Sequence, residues 1–146
     1  KAGLADDEKT INIKQYENNA TRGTANMYIV FTQKTKDYFQ QNTKLEIVEG
    51  FADIELNCVI SSYNITPVAA QANETAALNK LEITAQATYI SNKYLDDNTK
   101  NFENKSFTGF TTYSTNSNFN AIEADLINEI ADQIIINIFS STAGNW

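Results

Sequence analysis

The chain has 146 residues, 42 % of them hydrophobic and 11 % aromatic, enough to bury roughly 70 % of its unfolded surface around one core. Its net charge of −7 is unevenly spread: residues 1 to 105 hold 11 basic and 14 acidic groups, and after Lys105 come four acids and no base, which argues against general nucleic-acid binding. One cysteine excludes an internal disulfide, the lack of histidine removes the commonest general base and transition-metal ligand, and no apolar run approaches the roughly 18 residues of a membrane helix.

Residues 1–9 carry Asp6, Asp7 and Glu8 without any periodic pattern and read as a mobile lead-in to one domain spanning 10–146. The start lacks an initiator Met and the apolar stretch of a signal peptide, as expected of a processed product. From Thr10 to Tyr16, Ile11 and Ile13 alternate with Asn12 and Lys14 in a short strand that Glu17-Asn18-Asn19 closes. The next segment is helical, with Met27, Tyr28, Phe31, Thr35, Tyr38 and Phe39 on one face. Thr24 suits its N-cap and Asn42 its end.

Leu45 and Ile47 mark a second short strand, and Glu49-Gly50 turns the chain into a long one over Phe51 to Pro67. Near Ser61-Ser62 its apolar parity shifts, from Ile60 to Tyr63 and Ile65, so a bulge is expected there. The link from Val68 to Lys80 is too long for a tight hairpin. Beyond it Leu81, Ile83, Ala85, Ala87 and Tyr89 alternate with Glu82, Thr84, Gln86 and Thr88, the signature of a central strand with one buried face. Asp96-Asp97-Asn98 is a turn, and Asn101 to Tyr113 the last strand. There Phe107, Phe110 and Tyr113, spaced by three, imply a bulge near Gly109 and rings packed on the helix layer.

A second helix follows Asn116 to Asn120, with Phe119, Ile122, Leu126, Ile127, Ile130, Ile134 and Ile138 on one face. Ile135, Ile136 and Phe139 break its polar side. They form a possible interface, covered either by the tail running from Ser141 to Trp146 or by a partner. The order β-α-β-β-β-β-α predicts an α+β two-layer sandwich, two helices packed on one face of a mixed four- or five-stranded β-sheet.

No constellation for catalysis, cofactor or metal binding emerges. Cys58 sits mid-strand between Leu56 and Ile60 and reads as core. Glu123, Asp125, Glu129 and Asp132 have helical i,i+3 and i,i+4 spacings but no histidine, which describes a solvated face. Asp96-Asp97-Asn98 lacks the spacing of a calcium loop. The Asn-x-Ser/Thr triplets at Asn19, Asn64, Asn73 and Asn104 are common by chance in so Asn-rich a chain.

Asn73 to Thr84, reading Asn-Glu-Thr-Ala-Ala-Leu-Asn-Lys-Leu-Glu-Ile-Thr, closely resembles a segment of the LPS-assembly lipoprotein LptE family. Thr10-Ile11-Asn12-Ile13 with Tyr16-Glu17-Asn18, Ser106-Phe107-x-x-Phe110, and the ending Ile138-Phe139 through Asn145-Trp146 also match, so the resemblance spans nearly the whole domain. It implies a periplasm-facing outer-membrane lipoprotein, anchored through an N-terminal lipid, that sits inside the β-barrel LptD and helps deliver lipopolysaccharide to the outer leaflet. Two departures stand out. The lipid-bearing Cys is absent from this sequence, and the chain is net acidic where family members use basic residues towards lipopolysaccharide, so barrel contact is implied more firmly than direct lipid contact.

A plug for a polar, hydrated barrel interior should be weakly charged and rich in amides and hydroxyls. This chain is so, with charged residues at 20 %. The long link makes Asn73, Glu74, Thr75 and Lys80 the expected contacts with the barrel or lipopolysaccharide, Lys80 as a point charge for phosphate. The bland alternative is that Asn73, Glu74 and Thr75 only hold their own loop. A free periplasmic carrier of an amphiphile is the competing function, and it would require a pocket between sheet and helices.

Overall fold

The period-two and period-3.6 runs become eight elements in the computed structural model, which describes residues 3–69 and 77–144. They are β1 (Thr10–Ile13), β2 (Glu17–Asn18), α1 (Met27–Asn42), β3 (Glu46–Ile47), β4 (Ile54–Val68), β5 (Leu78–Ser91), β6 (Phe102–Ser114) and α2 (Phe119–Ser141). The sheet runs β3-β1-β4-β5-β6, with β1 parallel to β3 and β4, and β4, β5 and β6 an antiparallel meander. This is the expected α+β sandwich with one strand more. Glu17–Asn18, expected only to end a strand, rejoins the edge of β4, and the Asn19 N–H donates to the Ile60 carbonyl at 2.9 Å.

The alternation of β4 and β5 turns Leu56, Cys58 and Ile60, and Leu81, Ile83, Ala85, Ala87 and Tyr89, towards the helices, where all are buried. Met27, Phe31 and Phe39 of α1 and Ile127, Ile130, Ile134 and Ile138 of α2 meet them. At about 1.5–3 kcal/mol for each large apolar side chain withdrawn from water, this interlayer is the main source of stability.

The bulge in β4 lies where the parity shift put it, between Ile60 and Ser62. It restores Tyr63 to the helix side, where it is buried and its hydroxyl donates to the Glu123 carboxylate of α2. Gly23, at φ +110°, sits so close that an added Cβ would lie 2.7 Å from Met27 Cε and 3.3 Å from the Tyr63 ring.

Several expectations are corrected. Helix α1 begins at Met27 and not after Thr24, because the Thr24 carbonyl instead accepts the Met27 N–H at 3.1 Å in a preceding turn. It does end at Asn42, whose amide donates to the Tyr38 carbonyl, while the Thr43 hydroxyl serves that of Phe39. β6 runs straight through Gly109. Its irregularity falls opposite Ala87–Tyr89, beside Asn104 at φ 51°. Strict alternation therefore sends Phe107 to the core and Phe110 to the opposite face, where it is 52 % exposed.

The lead-in is held along residues 3–9. Glu8 is buried, accepting from the Ala5 N–H at 2.8 Å, from the Ser91 hydroxyl and from Lys100 Nζ at 3.1 Å. Lys100 also donates to the Gly3 carbonyl, and Asp7 receives Lys93 Nζ on its carbonyl and the Tyr94 hydroxyl on its carboxylate, both at 2.7 Å. A charge pair withdrawn from water needs each of these partners, and they fasten the start of the chain to the 92–101 connection.

Candidate functional site

The β4–β5 pairing continues to Val68↔Leu78, so the connection is shorter than the Val68–Lys80 link expected. Asn73, Glu74 and Thr75 lie outside the described residues. Lys80 does not belong to the loop. It stands in β5, opposite Thr66 on one side and Thr112 on the other. Its Nζ lies 3.7 Å from a Glu82 carboxylate oxygen and 5.3 Å from the centroid of the Phe110 ring. A lysine so accompanied has part of its charge offset and its stem laid on an aromatic face.

That position puts Lys80 on the sheet face turned away from the helices. Glu82, Thr84, Gln86 and Thr88 continue it along β5, and Thr108 and Phe110 along β6. Thr84 and Thr108 share a hydroxyl hydrogen bond of 2.8 Å. Asn57 Oδ1, on β4, is buried with no partner among the described residues. The face thus carries amides and hydroxyls along most of its length, the Lys80–Glu82 pair at one end and one exposed ring.

The possible interface on α2 divides. Ile135 and Phe139 are buried in this chain, because α2 packs on α1 as well as on the sheet and so hides a wider stripe than one contact would require. Phe139 stands edge-on between Tyr38 and Phe39, with centroids at 5.0 and 5.1 Å. Ile136 alone of the three is exposed, at 45 %, on a shallow groove that also involves Lys34, Tyr38 and Asp132. The tail begins to fold back, with Thr142 and Ala143 buried; Asn145 and Trp146 lie outside the described residues.

Several of the other singled-out groups have structural roles. Burial pushes the Cys58 thiol up to about 12, which leaves it protonated and unreactive at neutral pH. Glu123 receives the Tyr63 hydroxyl, and Asp132 pairs with Lys34 at 2.9 Å. The hydroxyl and N–H of Thr99 hold Asp97 below the usual carboxylate range, as a turn requires. No three candidate metal-ligating side chains converge among the described residues.

Two features escaped the sequence. The Gln133 amide reaches the free edge of β6, and the outer edge of β1 borders a groove of about 680 Å³ beside α1. Only the mid-strand Gly109 hinted at the first, since a strand glycine marks close approach by another element.

The family model described as LptE, lipopolysaccharide-assembly, matches residues 8–140. No curated protein matches the chain. Among solved structures, a minor lipoprotein of Acinetobacter baumannii is 15 % identical with a TM-score of 0.54, each chain covered over 94 %. A hypothetical protein of Chlamydia trachomatis is 9 % identical, TM-score 0.57, over 94 % of this chain and 99 % of that one. The PelC dodecamer of Paraburkholderia phytofirmans is 13 % identical, TM-score 0.52, over 97 % and 92 %. At such identities the likeness is one of fold.

Proposed function

Because the chain belongs to the LptE lipopolysaccharide-assembly family, we propose that it is a non-catalytic outer-membrane lipoprotein, facing the periplasm, that plugs and supports the LptD β-barrel during delivery of lipopolysaccharide to the outer leaflet. The observation that carries this reading is the family match over residues 8–140. The open sheet face supports it physically: Thr84, Gln86, Thr88 and Thr108 offer neutral hydrogen-bonding groups of the kind that fit a polar barrel lumen. On this reading the segment between β4 and β5, with Asn73, Glu74 and Thr75, is the principal contact together with Lys80 of β5, and an N-terminal lipid holds the domain at the membrane.

The alternative of a free amphiphile carrier finds less support. Ile83, Ile127, Ile130 and Ile134 are fully or almost fully buried between the layers, which leaves the interlayer filled where a carrier would hold its cargo. The test is recovery of the full-length protein from detergent-solubilised outer membranes. A stoichiometric complex with the barrel, released only with detergent, is the expected result. A protein found free in the periplasmic fraction, with an acyl ligand bound, would replace this reading by the carrier.

A further inference from the structure

β1 is paired on its outer side only as far as Ile11. The ladder to β3 ends at Ile11↔Ile47, the Val48 N–H donates to the Ile11 carbonyl at 2.9 Å, and the chain then leaves through Gly50 at φ +81°. Successive residues of a strand direct their backbone groups to opposite sides. Lys14 turns its N–H inward to the Leu56 carbonyl at 3.0 Å, so Ile13 directs its N–H and C=O outward, and no described hydrogen bond ends on them. Its side chain belongs to the core, which fixes the strand's register at this point. Ile13 lines the 680 Å³ groove bounded by β1, the Val48–Glu49 turn and the Ile29, Gln33 and Lys36 side of α1.

We propose that this groove takes an extended polypeptide segment of a partner protein, added as a strand beside β1 in the line that β3 abandons. The groups that would recognise it are the Ile13 N–H and C=O, which match a second strand's backbone, as in other strand additions at sheet edges. Side chains of an added strand alternate between two environments. On the helix side Ile29, 48 % exposed, offers an apolar seat with Lys36 beside it. On the other side lies Lys14, whose 3.8 Å approach to Glu55 is too long to occupy it fully. Lys36 makes no ion pair among the described residues, and it leaves a positive charge in this lining beside Lys14 and the acid Glu49, in a chain of net charge −7. The segment is therefore one that places an apolar side chain over Ile29 and acidic side chains near Lys14 and Lys36. The inference does not depend on the barrel assignment, since the partner is defined by its backbone and charge and not by its identity.

Residue-resolved hydrogen exchange tests it on the free chain and on the assembly recovered with the full-length protein from membranes. The Ile13 amide should exchange on the order of 100-fold faster than that of Lys14 in the free chain, and slow by a similar factor in the assembly. An Ile13 amide as protected as Lys14 in the free chain, or one that stays fast in the assembly, overturns the proposal. Recovery of the full-length protein with no bound polypeptide overturns it too. Mass spectrometry of the same sample identifies the partner and so judges the barrel reading separately. The double variant Lys14→Glu, Lys36→Glu should reduce partner recovery about tenfold, equivalent to about 1.4 kcal/mol, with the melting temperature nearly unchanged. Unchanged recovery would remove the acidic-segment assignment, and recovery restored by Lys14→Arg, Lys36→Arg would support it.

Discussion

The side-chain amide of Gln133 satisfies both backbone groups of Phe110: its Nε2 donates to the Phe110 carbonyl at 2.9 Å and its Oε1 accepts the Phe110 N–H at 3.0 Å. One side chain from α2 thereby does at the middle of an edge strand what a neighbouring strand would do, and it denies that edge to other chains. Gly109 makes the approach possible, because a Cβ there would stand 3.1 Å from the Ile130 carbonyl and 3.0 Å from Gln133 Oε1. Replacing Gln133 by Ala should lower stability by about 1–2 kcal/mol and raise light scattering on partial unfolding. Gly109→Ala should lower it by about 1–3 kcal/mol through overpacking. Urea titration reads both, and a Gln133→Ala protein of wild-type stability and solubility would show that water serves the edge equally well.

The Glu8–Lys100 pair carries a second prediction. Lys100→Met leaves a buried carboxylate without its cation and should lower stability by about 3 kcal/mol, and adding Glu8→Gln should recover part of the loss because the orphaned charge is gone. Limited proteolysis gives a local readout. Cleavage after Lys9 should accelerate in Lys100→Met, whereas equal rates would mean that the lead-in is held without the pair.

On α2, Phe139→Asp and Ile136→Asp should behave oppositely. The first buries an unpaired charge between Tyr38 and Phe39 and should unfold the chain or lower stability by several kcal/mol. The second changes an exposed side chain and should stay within about 0.5 kcal/mol. Loss of the membrane complex in Ile136→Asp at normal stability would mark the Ile136 groove as a contact surface.

Exchange of Asn73, Glu74, Thr75 and Lys80 together for Ala should leave the melting temperature nearly unchanged while reducing recovery of the barrel. Both are measured on one preparation. Normal recovery with intact lipopolysaccharide export would remove the contact role from these residues.

Asp53 supplies a pH dependence. The Lys9 N–H at 2.8 Å is the chief cause that holds its carboxyl below the ordinary range, with help from the Thr10 N–H and from Lys93 at 3.9 Å, against a smaller desolvation effect. A depressed folded pKa means stability that is present above the unfolded value, about 3.9, and lost as the pH falls through the folded one. Asp53→Asn should therefore be about 1 kcal/mol less stable than the parent at pH 7. The gap should narrow as the pH falls below about 4 and close once it has passed through the folded value; a gap independent of pH would place the effect in shape and not in charge.

Elements whose signal is local were legible in the sequence. The alternation of Leu81 to Tyr89, the Met27–Phe39 face of the first helix and the parity shift at Ser61-Ser62 each report a neighbour's side simply through periodicity. What was not legible depends on distant partners. Glu8 looks like one more acid in an acidic run until Ser91 and Lys100, 83 and 92 residues away, surround it. Ile135 and Phe139 broke the one-face pattern of α2 because a second helix covers them, and a helical wheel cannot distinguish that from a partner. The polar neighbours of Lys80 point to a loop, yet a strand with both faces outside the core needs no apolar alternation.

With 15 residues in β4 and 14 in β5, at about 3.3 Å per residue, the meander is about 45–50 Å long, whereas α2, at 23 residues, spans about 35 Å. Core burial on β5 begins only at Leu81, and β4 beyond Tyr63 is largely uncovered. The hairpin end, with β6 alongside as far as Ser114↔Leu78, is therefore a cantilever three strands wide, clamped at its root by the helix layer. Ladder bonds resist stretching and sliding, so such an arm holds its tip at a set distance and yields mainly by bending. Deleting two opposed residues from each strand keeps every side chain on its face and draws the tip in by about 7 Å.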